Sequence, residues 1–314
     1  MENQLIPLGD DLYYFDLFEL GKPWHTSAYL YNGKKKILIE TGASPSHQNI
    51  VQALRELSLS LTDLDYVILT HIHLDHAGGA GLLAKKAPQA IFLCHPRAKR
   101  HLVDPSRLEQ SARLVYGDTM NTMFGEILPI AADRILAQED GTTLQLGDRT
   151  LHFIDSPGHA KHHICIFDPD KRAVFSGDAL GIRYLSKSTQ WGFDAIFPST
   201  SPTDFDPQGV RYTIAKIASL KPQIILHTHF GPSDANEALE STLRESMLLA
   251  TLADETFAIN PTQDGFQEAL IQFYRQRIQD LGHDPQVDIS KLGIDLMLNS
   301  QGLLYYEKKK HALV

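Results

Sequence analysis

Cysteine is almost missing from this sequence. Among 314 residues only Cys94 and Cys165 occur, each inside an apolar, strand-like run. Two thiols so placed read as buried and free, and imply no disulfide framework. An excess of positive charge is missing too: the formal net charge is −9, and Lys308-Lys309-Lys310 near the C-terminus reads as a solvated tail. That balance speaks against a nucleic-acid partner held by its phosphates. No apolar stretch approaches the roughly 20 residues of a membrane span. Met1-Glu2-Asn3-Gln4 lacks the basic segment and apolar core of a signal peptide. The expectation is a soluble cytoplasmic protein with a small-molecule substrate and neither a nucleic-acid nor a membrane partner. A G-x-S-x-G elbow and a P-loop are also lacking, so serine hydrolysis and nucleotide hydrolysis lose their usual hardware.

What is present, at 43% hydrophobic residues, suffices for one large core or two modest ones. The first part reads as strands at 12–17, 27–31 and 36–40, with an Asn32-Gly33 hairpin turn. A helix over about 48–57 places Ile50, Val51 and Leu54 at helical spacing. A strand at 64–69, a helix at about 79–86 and a strand at 90–94 follow. A second strand-rich stretch occupies 143–146, 151–154, 163–167 and 172–175, with a turn at Asp148. A helix at about 208–220 and a strand at 223–226 come next. Two strand-rich halves, each ending in helix, predict an α+β protein with two layers packed sheet to sheet. Residues 97–137 form an excursion that serves as a lid, a pocket wall or a plain connector. From about 236 the chain reads as helical (239–254, 267–280, 289–298). The expected domains are 1–235 and a helical extension, 236–314, which is a candidate homodimer surface.

Chemistry concentrates in Thr70-His71-Ile72-His73-Leu74-Asp75-His76-Ala77-Gly78-Gly79, directly after the strand at 64–69. Three histidines and an aspartate within six residues offer the imidazole and carboxylate ligands that zinc accepts. In an extended chain His71, His73 and Asp75 would share a face and His76 would turn away. Three more segments sit just after strands: Ser156-Pro157-Gly158-His159, with Ala160-Lys161-His162-His163 behind it; Ser176-Gly177-Asp178; and His227-Thr228-His229-Phe230-Gly231. Each places a ligand type at a strand-to-loop switch where Gly or Pro lets the backbone turn. Gly79-Ala80-Gly81-Leu82-Leu83-Ala84 fits a dinucleotide fingerprint, yet the histidine motif fills the turn a pyrophosphate would need. Those glycines are expected to let a helix pack under the metal loop. Tyr184, Trp191, Phe193 and Phe197, with Met120, Met123 and Phe124, are candidates for an apolar pocket or for ordinary core.

This ordered set resembles the metallo-β-lactamase superfamily, whose pattern is a His-x-His-x-Asp-His loop, a later Gly-His, a Gly-Asp turn and a final His. The resemblance covers about residues 10–235 and implies a four-layer αβ/βα sandwich, here with a helical C-terminal extension. It implies two divalent cations, zinc with manganese or iron as alternatives. By position, His71, His73 and His159 would hold one, Asp75, His76 and His229 the other, and Asp178 both. His229 is preferred to His227 because the family's last ligand commonly precedes a Phe-Gly or Gly turn. His163 matches a supporting polar position, and His162 replaces a more usual Gly. Glu40 stands where many members have Asp, an acid that orients a ligand imidazole. The activity implied is metal-dependent hydrolysis of an ester, lactone or thioester by a metal-bridging hydroxide. Asp75 is the residue expected to orient the nucleophile and pass a proton on. Alternatives on the same scaffold are a mononuclear-iron persulfide-oxidising dioxygenase and a phosphodiesterase. Oxygen-reducing diiron relatives typically carry Glu where this chain has His73.

Overall fold

The structure, a computed structural model, describes residues 5–147, 149–200 and 202–312. The turn expected at Asp148 and the leader-free reading of residues 1–4 lie outside the described residues. In chain order the strands of a first sheet are β1 (Ile6–Pro7), β2 (Leu12–Asp16), β3 (Ser27–Asn32), β4 (Lys36–Ile39), β5 (Tyr66–Ile68), β6 (Ile91–Cys94) and β7 (Ile135–Ala137). Next come β8 (Thr143–Leu146), β9 (Arg149–Asp155), β10 (Ile164–Asp168) and β11 (Ala173–Gly177). A separate hairpin, β12 (Ile182–Tyr184) and β13 (Ala195–Phe197), precedes β14 (Ile224–His227) and β15 (Gly231–Asp234). The first sheet runs in sequence order, β1 to β7, and the second has the order β15-β14-β11-β10-β9-β8. Pairs β4–β5, β5–β6 and β6–β7 are parallel, as is β11–β14. Their strand ends therefore point the same way and gather loops along one edge, where α/β sheets place their sites.

Two compact units are built from interleaved segments. The first comprises Met1–Asp155, His162–Gly177 and Ile224–Pro232, the second Ser156–Lys161, Asp178–Gln223 and Ser233–Val314. In the first unit, strand alternation sorts the apolar side chains into two layers. Tyr29 and Tyr31 of β3 and Ile37 and Ile39 of β4 face Phe153 of β9, Ile166 of β10 and Phe175 of β11 in a core between the sheets. Ala28, Leu30 and Leu38 point the other way, into a second core. That core takes in Ile50 and Leu54 from helix α1 (His47–Glu56) and Leu102 from the chain beyond β6. The short α2 (Leu74–Ala77) and α3 (Ala80–Lys86) follow β5. Helices α4 (Pro96–Val103), α5 (Ser106–Tyr116) and α6 (Met120–Phe124) lie between β6 and β7.

The second unit holds α7 (Ser186–Thr189), α8 (Pro207–Ser219), α9 (Ala235–Ile259), α10 (Gln263–Asp280) and α11 (Ile294–Lys310). Asp234 caps α9, its carboxylate accepting from the amides of Asn236 (2.9 Å) and Glu237 (3.0 Å). The single helix read at 289–298 is broken in fact. A 3-10 turn, Ile289–Leu292, ends at Gly293 with φ of 62°, a left-handed conformation that stops a helix, and α11 begins afterwards. Buried polar groups tie α11 down: Tyr184 Oη donates to Asp295 (2.9 Å), and Asn299 accepts from the Thr200 amide (2.8 Å). Among the described residues no helix is long and apolar enough to cross a membrane.

Candidate metal centre

The histidine motif is shaped by the apolar residues between its histidines. Ile72 and Leu74 are buried in different clusters of the first unit, which fixes the intervening backbone. The chain does not stay extended. At His73, φ −60° and ψ 150°, it enters α2, and the His73 carbonyl accepts from the amides of His76 (3.0 Å) and Ala77 (2.9 Å). The extended-chain expectation that His76 turns away is thereby overturned, because a helical turn replaces strand alternation from Leu74 onward. His76 instead approaches His71, ring centroids 4.0 Å apart.

Within the first unit, ligand atoms of Asp75, His76 and His229 all lie within 4.8 Å of one another. His229 Nε2 is 3.2 Å from both Asp75 Oδ2 and His76 Nε2, and His76 Nε2 is 3.4 Å from Asp75 Oδ2. The opposite ring nitrogens are committed elsewhere. His76 Nδ1 lies 2.9 Å from Glu40 Oε2, and His229 Nδ1 lies 2.9 Å from the His25 carbonyl. Each of those acceptors requires a proton on Nδ1, so a neutral ring keeps its lone pair on Nε2. Two lone pairs and a carboxylate oxygen thus converge, a donor set that repels itself unless a cation is shared. The residues fit a divalent metal of the zinc kind. The alternative to a cation is a proton on each Nε2: burial pushes the Asp75 carboxyl up, but the charges and hydrogen bonds of His76 and His229 so protonated outweigh it and hold the group well below the usual carboxylate range.

Glu40 is fully buried, and its second oxygen accepts from the Thr70 amide at 2.9 Å. It therefore orients the His76 imidazole, and its longer side chain reaches where an Asp would otherwise stand. His71 Nε2 lies 2.9 Å from His73 Nδ1. His163 stacks on His71 at 4.9 Å, and His162 stands edge-on to His73 at 5.4 Å. His227 is buried at the end of β14, where its carbonyl accepts from Tyr29 Oη and Ser27 Oγ.

In the second unit, His159 Nε2 lies 3.6 Å from Asp178 Oδ2, and His159 Nδ1 lies 3.2 Å from the Ser199 carbonyl. The loop before His159 is pinned to the start of α8: the Asp206 amide donates to the Gly158 carbonyl (2.8 Å) and Thr213 Oγ1 to that of Pro157 (2.6 Å). Gly158 has φ of +128°, and a Cβ there would meet the Val210 amide nitrogen at 2.5 Å, so both conformation and space demand glycine.

Five of the apolar candidates are buried, while Phe193 and Met123 are only partly so. Tyr184, Trp191 and Phe197 are buried in the second unit, with Phe197 against Tyr274 at 4.9 Å and Trp191 Nε1 donating to the Asp288 carbonyl (3.0 Å). Met120 and Phe124 are buried with Ala43, Leu74 and Ala112. Burial pushes the Cys94 thiol up to about 12, so it remains protonated and inert. Sequence reasoning missed Glu19, His25 and Thr26, which gather behind His229.

The first unit is thus a two-sheet sandwich whose strand-end loops carry imidazole and carboxylate groups that could hold a cation. Residues 21–229 match the Metallo-beta-lactamase superfamily, and the chain belongs to it. It is similar to the Metallo-beta-lactamase fold-containing protein ST1585 of Sulfurisphaera tokodaii, 26% identical over 76% of this chain and 83% of that protein. The crystal structure of ST1585 matches with a TM-score of 0.62 at 24% identity, covering 75% of this chain and 86% of that one. The metallo-beta-lactamase family protein TTHA1429 of Thermus thermophilus matches 98% of this chain and 96% of its own, with a TM-score of 0.66 at 19% identity. These likenesses establish the αβ/βα fold. The Acyl-coenzyme A thioesterase MBLAC2 of Homo sapiens is 28% identical over 36% of this chain and 40% of its own length.

Proposed function

We propose that the chain is a metal-dependent hydrolase of a small ester, lactone or thioester, with the thioester favoured. On the family's pattern, His71, His73 and His159 are assigned to one cation, Asp75, His76 and His229 to a second, and Asp178 to both. The observation that carries this reading is the pair of Nε2 atoms of His76 and His229, turned on one another at 3.2 Å with their Nδ1 sides already engaged. A thioester is favoured by the likeness to an acyl-coenzyme A thioesterase. When bound, such cations lower the pKa of a water to about 7 and polarise a carbonyl oxygen. The chain supplies the rest. Glu40 fixes the His76 ring, and the Asp75 carboxylate, 23% exposed at its side chain, would orient the nucleophile and carry the nucleophile's proton toward the leaving group.

The test is thiol release from acyl-coenzyme A thioesters by zinc- and manganese-loaded protein, with metal content measured in parallel. Turnover is expected, and His73→Ala and Asp178→Ala should each lose bound metal and at least 100-fold in rate, the scale on which removing a catalytic electrostatic group acts (roughly 10²–10³). Hydrolysis retained by metal-free protein, or oxygen consumption with a persulfide in place of hydrolysis, would overturn the reading.

A further inference from the structure

Behind His229, on the side away from Asp75 and His76, lies a buried network that the ligand assignment leaves unexplained. Glu19 is 5% exposed and Thr26 is fully buried. Glu19 Oε2 accepts from Thr26 Oγ1 and lies 2.8 Å from His25 Nδ1. Thr26 Oγ1 is in turn 3.2 Å from His229 Nδ1, whose other neighbour is the His25 carbonyl at 2.9 Å. The ligand atoms of Glu19, His25 and His229 lie within 4.8 Å of one another, as in a small cation site. The Thr26 hydroxyl, however, bridges Glu19 and His229 and already uses the carboxylate that a cation would take.

We infer that Glu19 is a positioning residue for His229, acting through the dipeptide His25-Thr26. A carboxylate only accepts hydrogen bonds, so it takes the single Thr26 hydroxyl proton and leaves that oxygen to accept from His229 Nδ1–H. The same carboxylate ties down the His25 ring, and with it the His25 carbonyl that accepts from the same N–H. One side chain thus holds both acceptors in place, fixes the His229 tautomer and aims Nε2 at Asp75 and His76. Glu40 does this directly for His76; Glu19 does it for His229 through one intervening hydroxyl. The inference rests on the proposal that His229 is a metal ligand.

Zinc affinity of the full chain, measured by competition with a chromophoric chelator, tests it. In Glu19→Gln the amide can donate to Thr26 and free its proton to turn on His229. Zinc affinity at one site should then fall about 10–100-fold. Thr26→Val should show the same loss, and Thr26→Ser, which restores the hydroxyl, should match wild type. Two-bond proton–nitrogen spectra of histidine-labelled, metal-free protein should show Nδ1–H at His229 in wild type and a mixed or reversed tautomer in Glu19→Gln. Unchanged affinity and tautomer in folded Glu19→Gln and Thr26→Val overturn the inference. Wild-type protein that binds no zinc overturns the metal assignment beneath it instead.

Discussion

Glu307 of α11 is a buried acid without a close countercharge. Its side chain is 0% exposed, and its nearest charged partners, Lys310 Nζ and His311 Nε2, both stand 3.6 Å away, beyond hydrogen-bond range. Burial raises its pKa, and Asp254 adds to the rise against the opposing pull of Lys310. A carboxyl whose pKa is higher folded than unfolded contributes stability that is fully present below the unfolded value, about 4.3. That contribution is lost as the pH rises through the folded value. Glu307→Gln should therefore stabilise the protein by about 1 kcal/mol at pH 7, and by less at pH 5. Denaturant titrations at the two pH values check this, and an equal loss of stability at both would contradict it. At this scale the sequence was legible where residue type alone speaks. The crowding of His71, His73, Asp75 and His76 is a local signal, and so is Gly158 before His159. It was illegible where partners meet only in space. Thr26 and His229 are 203 positions apart, and nothing near either one marks the other.

Among the elements, α3 is tightly constrained by what lies next to it. A Cβ at Gly81 would stand 1.9 Å from the Leu128 carbonyl oxygen, a backbone atom that cannot rotate away. Gly81→Ala should cost about 1–3 kcal/mol through forced backbone shifts, against a gain in helix propensity of under about 1 kcal/mol. Thermal melts would show a lowered midpoint, and an unchanged or raised one would refute the close-approach account. This is the physical content of the glycine pair that imitates a nucleotide fingerprint. Strands with clean apolar runs were legible to within a residue or two, because burial between two layers writes itself into alternation. The helix α4 was not. It begins directly after the strand read at 90–94, with Pro96 in its first turn, where proline is at home, and His95 Nδ1 caps it by accepting from the Arg97 amide (3.0 Å). β12 and β13 are three residues each, too short for periodicity to register.

For the molecule as a whole, the metal proposal has a thermodynamic signature that needs no substrate. A ligand that binds only the folded state stabilises it by about 2.7 kcal/mol at 100 times its dissociation constant. Zinc or manganese should thus raise the melting temperature of chelator-stripped protein in a concentration-dependent way, and His229→Ala should show a much smaller rise. Equal shifts in both proteins would mean that the metal binds elsewhere. Whole-molecule organisation was the least legible level. A fold class follows from the order of strands and helices. The return of 162–177 and 224–232 to a unit begun by residues 1–155 leaves no mark on composition.

That return also sets a clock. His76 and His229 are separated by 153 positions. At about 5–20 residues per second of synthesis, the ribosome makes the second roughly 8–30 seconds after the first. During that interval the nascent chain presents His71, His73, Asp75 and His76 without the imidazole from β14's far end. The trio that includes His229 cannot close before that interval has passed, so any cation it is proposed to hold must wait for the second imidazole.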